Sequence, residues 1–386
     1  MTRDSLFGEP VLWSGRPKEL STPPLYRVAA VVCAAASAIT TASAVVVAAL
    51  PSRPGSLLAF AAWMATLALA FTFGSRWWRS ELEFIVTDRH VVMRRGRFRR
   101  SIETRQISYA RIHWNPRLPG IGDLELVRAV PTGALRRRLS IVLHGLIAPD
   151  RVWAIMRGVP PTAPAGDGHR LLAQRLDEDE RVLWSAHPLL SWRNWVPTGA
   201  RSLGSILVAL LIGGAAAGMP GHAVHVLRAV IAGGWAPGSP PFVALVVSLS
   251  LVIVLLVSSS VGVLYAVVIK PARLASRTRY LITDRRVLIQ RGDEELHLDR
   301  SRIVDVIDAP AGGGVRTVFL VLDGPRARAV AASGAFGEAG APGLQPVMFG
   351  ITDVEALQRV LQEARRPSIG PPPPSPEAQA AGAGAA

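Results

Sequence analysis

The sequence predicts a membrane α + β protein: four transmembrane helices in two hairpins, each hairpin followed by a small β module that closes on a C-terminal helix. Three observations predict it. Hydrophobic residues make up 49% of the 386-residue chain, and they gather into four long runs: Val28 to Leu50, Ser56 to Phe73, Leu203 to Gly218 and Phe242 to Ile269. Nearly the same stretch, VTDRHVVMRRG at Val86 to Gly96 and ITDRRVLIQRG at Ile282 to Gly292, follows each pair of runs. The basic residues, finally, avoid the segments that join the runs of each pair.

The first run is uncharged over 23 residues, roughly 34 Å of helix, enough to cross a bilayer. The last is uncharged over 28 residues, longer than a buried helix of a soluble domain needs. The other two are shorter or richer in Gly and Ala. Residues 1–27 are mixed and polar, and the first apolar run starts too late and runs too long for a cleaved secretory signal. The only cysteine, Cys33, lies inside that run, so no disulfide forms within the chain, as suits a reducing compartment.

Charge predicts the orientation. Of 43 Lys and Arg, only Arg53 and Arg228 fall between the members of a pair, leaving 41 on the other side. Arg16, Lys18, Arg27, Arg76, Arg79, Arg201, Lys270 and Arg273 flank the runs and agree. The positive-inside rule then places both termini and both modules in the cytoplasm. Trp77 and Trp78 stand where an interfacial aromatic belt belongs.

An internal repeat organises the rest. Val11-Leu12-Trp13-Ser14 answers Val182-Leu183-Trp184-Ser185 at an offset of 171 residues, whereas the Thr-Asp-Arg stretches match at 196. The 25 extra residues of the second half fall at about Met219 to Pro241, lengthening the outer connection. In each copy β-branched runs flank Thr87-Asp88-Arg89 or Thr283-Asp284-Arg285, a strand–turn–strand pattern in which the aspartate is expected to accept backbone hydrogen bonds at the turn. Further strands are expected in QISYARIHW, DLELVRAV and LSIVLHGL, and in SRIVDVIDA, TVFLVLDG and PVMFGI. Helices are expected in DRVWAIMRG and in TDVEALQRVLQEARR. The latter has a Thr352 or Asp353 cap and an apolar face of Val354, Leu357, Val360 and Leu361.

This order, with the Gly-rich turn Leu118-Pro119-Gly120-Ile121-Gly122-Asp123, resembles bacterial pleckstrin-homology (PH) domain membrane proteins, with the hairpin-plus-PH unit duplicated. The resemblance covers most of residues 8–158 and 178–365 and implies two PH-like β barrels, each capped by a helix. Barrel closure would remove the exposed sheet edges. The second copy departs at APAGGGVRT, where the Leu-Pro-Gly-Ile-Gly wording is lost. The expected organisation is a lead at 1–27, a hairpin at 28–74 and a module at 75–158. A Pro/Gly linker at 159–177, a second lead at 178–202, a hairpin at 203–269 and a module at 270–366 follow. Residues 367–386 form a low-complexity, disordered tail.

The candidate binding residues are Arg94, Arg95, Arg97, Arg99 and Arg100. Five guanidinium groups around a turn beside a membrane span attract anionic lipid, or an acidic partner, at about 1 kcal/mol per charge. The alternative is a solvated basic edge that sets orientation. Residues 75–158 carry 17 basic and 7 acidic side chains, whereas residues 270–366 carry 15 and 12. The corresponding second hairpin holds Asp293, Glu294 and Glu295. The first module is therefore expected to face anionic lipid or an acidic partner, and the second to bind the first module or another protein.

Other chemistry is absent from the pattern. No nucleophile–base constellation, phosphate loop, His-Glu-x-x-His or paired-cysteine motif occurs, so neither catalysis nor a cofactor is expected. His222 and His225 share a helix face but lack acidic or thiol companions. The arginines sit at membrane flanks rather than in a nucleic-acid module, and no nucleic-acid partner is expected. The two longest apolar runs contain no ionisable side chain, unlike a transport path; their Ser and Gly suit close helix packing. Trp13 and Trp184 are expected to pack against their modules or at the membrane interface. The function implied is a non-catalytic membrane scaffold presenting two modules to lipid headgroups or to unidentified membrane or cytoplasmic proteins. The alternative is an accessory subunit of an export or transport complex.

Overall fold

A computed structural model describes residues 5–6, 8–19, 22, 24–48, 55–128, 139–159, 172–189, 200–312, 314–322 and 345–363. The expected disordered tail, residues 160–171 of the linker and Arg53 lie outside the described residues.

The chain opens with β1 (Ser5–Leu6) and β2 (Glu9–Gly15), then α1 (Pro24–Ala48) and α2 (Gly55–Ser80). The first β unit follows: β3 (Glu83–Thr87), β4 (His90–Arg95), β5 (Phe98–Glu103), β6 (Tyr109–Trp114), β7 (Ile121–Arg128), β8 (Leu139–Ile147) and the short helix α3 (Pro149–Met156). The second half runs in the same order, from β9 (Val182–Ala186) through α4 (Ala200–Ala232) and α5 (Pro240–Ser276). Its β unit comprises β10 (Thr278–Thr283), β11 (Arg286–Arg291), β12 (Glu294–Asp299), β13 (Asp305–Gly312), β14 (Val315–Val321), β15 (Val347–Ile351) and the helix α6 (Val354–Glu363).

Four helices, α1, α2, α4 and α5, are long and apolar enough to cross a membrane. α1 packs on α2, α4 on α5, and α1 on α5, joining the two pairs. Small polar residues sit at the crossings, as close approach requires. Ser37 Oγ donates to Ala61 O at 2.9 Å, from α1 to α2, and Ser260 Oγ donates to Ala209 O at 2.8 Å, from α5 to α4. A Cβ on Gly213 would lie 3.0 Å from Ser260 Oγ. Both α2 and α5 contain a wide π-helical turn, Ala70–Gly74 and Tyr265–Ile269, just before their last turns.

The extra residues of the second half are not the outer loop expected from the sequence. α4 runs unbroken through Pro220 to Ala232, 33 residues in all, or roughly 50 Å. After Pro220 the stretch HAVHVLRAVIA holds no further helix breaker, and the helix ends only at Gly233 and Gly234, the latter at φ +90°.

Each β unit is a sandwich of two open sheets over one core. In the first, β2-β3-β4-β5 faces β6-β7-β8 across Phe84, Val86, Val91, Ile112, Leu124, Leu126 and Leu143. In the second, β9-β10-β11-β12 faces β13-β14-β15 across Ile282, Val287, Ile289, Leu296, Val318, Leu320 and Met348. The closing helices cover the cores with Val152, Trp153 and Met156, and with Val354, Leu357 and Leu361. Asp353 caps the second helix, its Oδ1 accepting from Ala356 N at 2.9 Å. Trp13 packs against the first core and Trp184 against the second.

No sheet closes into a barrel among the described residues. The two units meet at a junction. β12 pairs antiparallel with β6, opposing Glu294 to His113, Glu295 to Ile112, Leu296 to Arg111 and His297 to Ala110. The result is one seven-stranded sheet, β8-β7-β6-β12-β11-β10-β9. The edge of β6 that would have met β5 is occupied by the other unit. Tyr109 and Val127 of the first unit thereby join the core of the second.

Candidate functional site

The repeated stretches are explained by hydrogen bonds that tie each lead strand to its Thr-Asp-Arg hairpin. Thr87 Oγ1 donates to Glu9 Oε2 at 2.6 Å and accepts from His90 N at 2.9 Å, while His90 Nδ1 lies 3.0 Å from Glu9 Oε1. Thr283 Oγ1 donates to Glu180 Oε1 at 2.6 Å and accepts from Arg286 N at 2.9 Å. Arg286 grips Glu180 from Nε at 2.9 Å and from Nη2 at 2.8 Å. The threonine therefore organises the turn, which corrects the expectation placed on Asp88 and Asp284. Asp284 instead holds the lead beside the turn, its Oδ1 accepting from Arg181 N at 3.0 Å. A β-branched hydroxyl reaches the i+3 amide from within the strand, and this leaves the next side chain free to point away.

A second link recurs between the end of each lead and the last strand. Lys18 N donates to Gly145 O and Leu189 N to Gly350 O, at 2.9 and 2.8 Å. Both glycines have positive φ, +61° and +67°, and a Cβ would collide with Glu19 O in one case and lie 3.0 Å from Leu189 O in the other. Only glycine meets both demands. The carboxylates were missed in the sequence although each stands two residues before its Val-Leu-Trp-Ser. The glycines gave a weaker signal, one shared letter in the last strand of each unit.

The five arginines do not form one patch. Arg94 lies opposite Arg99, Arg95 opposite Phe98 and Met93 opposite Arg100, so alternation sends Arg94 and Arg99 to one face of the hairpin and Arg95 and Arg100 to the other. Arg97 is at the tip, beside Gly96 at φ +53°. Arg95 is engaged: its guanidinium stacks 3.8 Å from the centre of the Trp78 ring and 4.8 Å from that of Trp77, and it pairs with Glu81 at 3.1 Å. Trp78 also meets Phe98 edge to face, with ring centres 6.5 Å apart. Arg94, Arg97, Arg99 and Arg100 are exposed, as are Trp77, Trp78 and Phe98. The hairpin tip is thus locked by Arg95 onto the end of a membrane-length helix, and its remaining cations are exposed on both faces of the hairpin and at its tip.

The second hairpin carries carboxylates at the same places and turns them into the junction. Glu295, buried, pairs with Arg175, whose guanidinium lies 5.4 Å from the centre of the Trp114 ring of the first unit. Arg157, at the end of α3, pairs with Asp177, which lies 3.5 Å from Arg286. Burial pushes the His297 imidazole down, favouring its neutral form. His113 sits between Glu125 of its own unit and Glu294 of the other, 3.6 Å from each. Burial opposes its protonation, but the two carboxylates outweigh burial and raise it to about 9. Glu294 is opposed by burial too, and His113 with Arg291 brings it down to about 2.

Among the described residues, no group of three or more His, Cys, Asp or Glu is placed to hold a metal ion. His222 Nδ1 lies 3.3 Å from Gly218 O, one helical turn before it. Comparison with protein-family models, curated proteins and solved structures finds no match for this chain.

Proposed function

We propose that this is a non-catalytic integral membrane protein whose two β units are a duplicated PH-like module, and that its first hairpin holds anionic lipid headgroups at the cytoplasmic face of a bacterial inner membrane. The observation that carries this reading is the tip of the first hairpin. Arg97 at the tip and Arg100 on the face of Phe98 are exposed, as are Trp77 and Trp78, Arg94 is exposed on the other face, and Arg95 fastens the tip to the end of α2. Aromatic rings favour the headgroup level of a bilayer, and each nearby cation adds about 1 kcal/mol of attraction to an anionic leaflet. The second unit contributes by docking on the first and holding it at a set angle to the helices. The unit as a whole is then a scaffold, with lipid on one side and room for protein partners elsewhere.

The test uses the full chain, because an isolated first unit would expose Tyr109, Val127 and the edge of β6. Purified protein is placed in nanodiscs with and without phosphatidylglycerol, and retained lipid is counted by native mass spectrometry. Selective retention of the anionic lipid is expected, with a loss of several-fold in Arg94→Gln/Arg97→Gln/Arg100→Gln. Equal retention of anionic and zwitterionic lipid by the unaltered protein would reject the reading.

A further inference from the structure

Among the described residues, the junction inside the chain leaves two corresponding strand edges unpaired. It joins β12, the last strand of the second unit's hairpin sheet, to β6, the first strand of the other sheet of the first unit. The corresponding strands are β5 and β13, and each is the last strand of its sheet. A contact between two different surfaces closes between two units only if the rotation relating them is a half-turn; other rotations give larger rings or open chains. Here β5 and β13 of one chain do not pair, so the contact does not close within the molecule.

We propose that β5 of one molecule pairs with β13 of a second copy, repeating between chains the strand pairing that β12 and β6 make within one, so that the protein assembles head to tail in the membrane. The register follows from the internal junction. Residues 98–101 and 306–309 correspond to 294–297 and 110–113 at the common offset of 196. The pairing Glu295 to Ile112 becomes Arg99 to Asp308, Glu294 to His113 becomes Phe98 to Ala309, and Leu296 to Arg111 becomes Arg100 to Ile307. Each junction then carries one pair of opposite charges, on neighbouring rungs of the ladder: Glu294 with His113 in the existing one, and Arg99 with Asp308 in the new one, where the existing one has Glu295 opposite Ile112.

The packing agrees. On the outer face of β13 and its neighbours, Ile307, Ala309 and Phe349 lie with Phe319, Val321 and Val347 in an apolar cluster. Phe98, half exposed, would extend that cluster, as Tyr109 extends the second core in the internal junction. Asp308 already pairs with Arg316, which is well exposed, and a second guanidinium suits a carboxylate with two oxygens. One bond is lost. Pro310 stands where Trp114 gives its N–H to Asp293 O at 2.9 Å, so the new ladder ends at Ala309.

This goes beyond the lipid reading, and the test separates the two. In a Cys33→Ser background, Arg99→Cys/Asp308→Cys is oxidised in native membranes. Covalent dimers and higher multiples are expected, with dimers alone from a mixture of the two single variants. Arg94→Cys/Asp308→Cys, one strand further in, is the control. Independently, native mass spectrometry of the unaltered protein in nanodiscs is expected to show multimers. Arg99→Asp should reduce them at least tenfold, and adding Asp308→Arg to the same chain should restore them. Loss of lipid retention would not be restored by a change on β13. Single copies of the unaltered protein in nanodiscs, with cross-linking no greater than in the control, would overturn the proposal.

Discussion

Arg97 and Phe98 occupy the tip of the first hairpin, and Asp293 and Glu294 occupy the same place in the second. The backbones there correspond closely: Gly96 and Gly292 both have positive φ, and both strands leave the turn into an antiparallel pair. Yet the first tip stands exposed beside two tryptophans at the end of α2, while the second is drawn into a sheet with the first unit. The residue behind the tip shows why. Trp78 offers Arg95 a ring face, whereas Leu274, at the matching position, gives Arg291 no such platform and packs 3.0 Å from where a Gly292 Cβ would be. One hairpin is thereby fastened to its membrane helix, and the other pairs with the neighbouring unit of the same chain. Charge substitution on a constant backbone has given two similar parts different partners.

The lead clamps differ in the same spirit, and the largest expected effect tests them. Glu180 is buried against Arg286, which is also buried; removing one member of such a pair leaves a charge without compensation. Glu180→Ala should lower the stability of the full-length protein in detergent by about 3–5 kcal/mol. Glu9→Ala, which removes the carboxylate from a half-buried histidine and a threonine rather than from a buried arginine, should cost clearly less in the same thermal denaturation series. Equal losses would show that the two clamps do not differ.

Next in size is a substitution whose effect should appear in the other unit. Tyr109 belongs to the first unit, is 3% exposed, and packs in the core of the second. Tyr109→Ala should cost about 3 kcal/mol and speed hydrogen exchange in β11, β12 and β14 more than in β3 and β4. Faster exchange confined to the first unit would break the picture of a shared core.

The smallest effect is a pH dependence of the junction. Because the His113 value is raised in the folded protein to about 9, its stabilisation is complete below its ordinary value near 6.5 and is lost as pH climbs through 9. Glu294, brought down to about 2, works in the opposite direction, its contribution present above about 4.5 and lost in acid. Between pH 6.5 and 9 the junction should weaken by about 1 kcal/mol, once solvent screening of a side chain that is 33% exposed is allowed for. Exchange rates in β6 and β12 read this directly. His113→Gln should flatten the profile, and an unchanged slope in that variant would assign the dependence to another group.

Much of the architecture was legible in the order of residues. Apolar length alone located α1, α2 and α5, because a helix that faces lipid has no reason to interrupt its apolar face. Alternation and turn residues located β3, β4, β6 to β8, β10, β11 and β13 to β15, whereas β5 and β12, which are rich in charge and lack an apolar alternation, were not named; Asp353 was one of two expected caps for α6. Local patterns carry such features, since each depends on neighbours within a turn or a strand. The length of α4 was misjudged because Pro and Gly at 218–221 read as a stop, while the surrounding Ala and Val continue the helix.

What only the tertiary structure decided was which edges meet. Nothing within Glu294–Asp299 states that its partner is Tyr109–Trp114, since backbone donors and acceptors are the same in every strand. The choice depends on where the helix pairs set the two units and on which side chains can be buried there: Glu295 because Arg175 reaches it, and Tyr109 because the second core has room beside Leu320. The same reason separates Arg95 from its four neighbours. Composition could count five arginines, but only packing could show that one of them lies on tryptophan and holds the others in place.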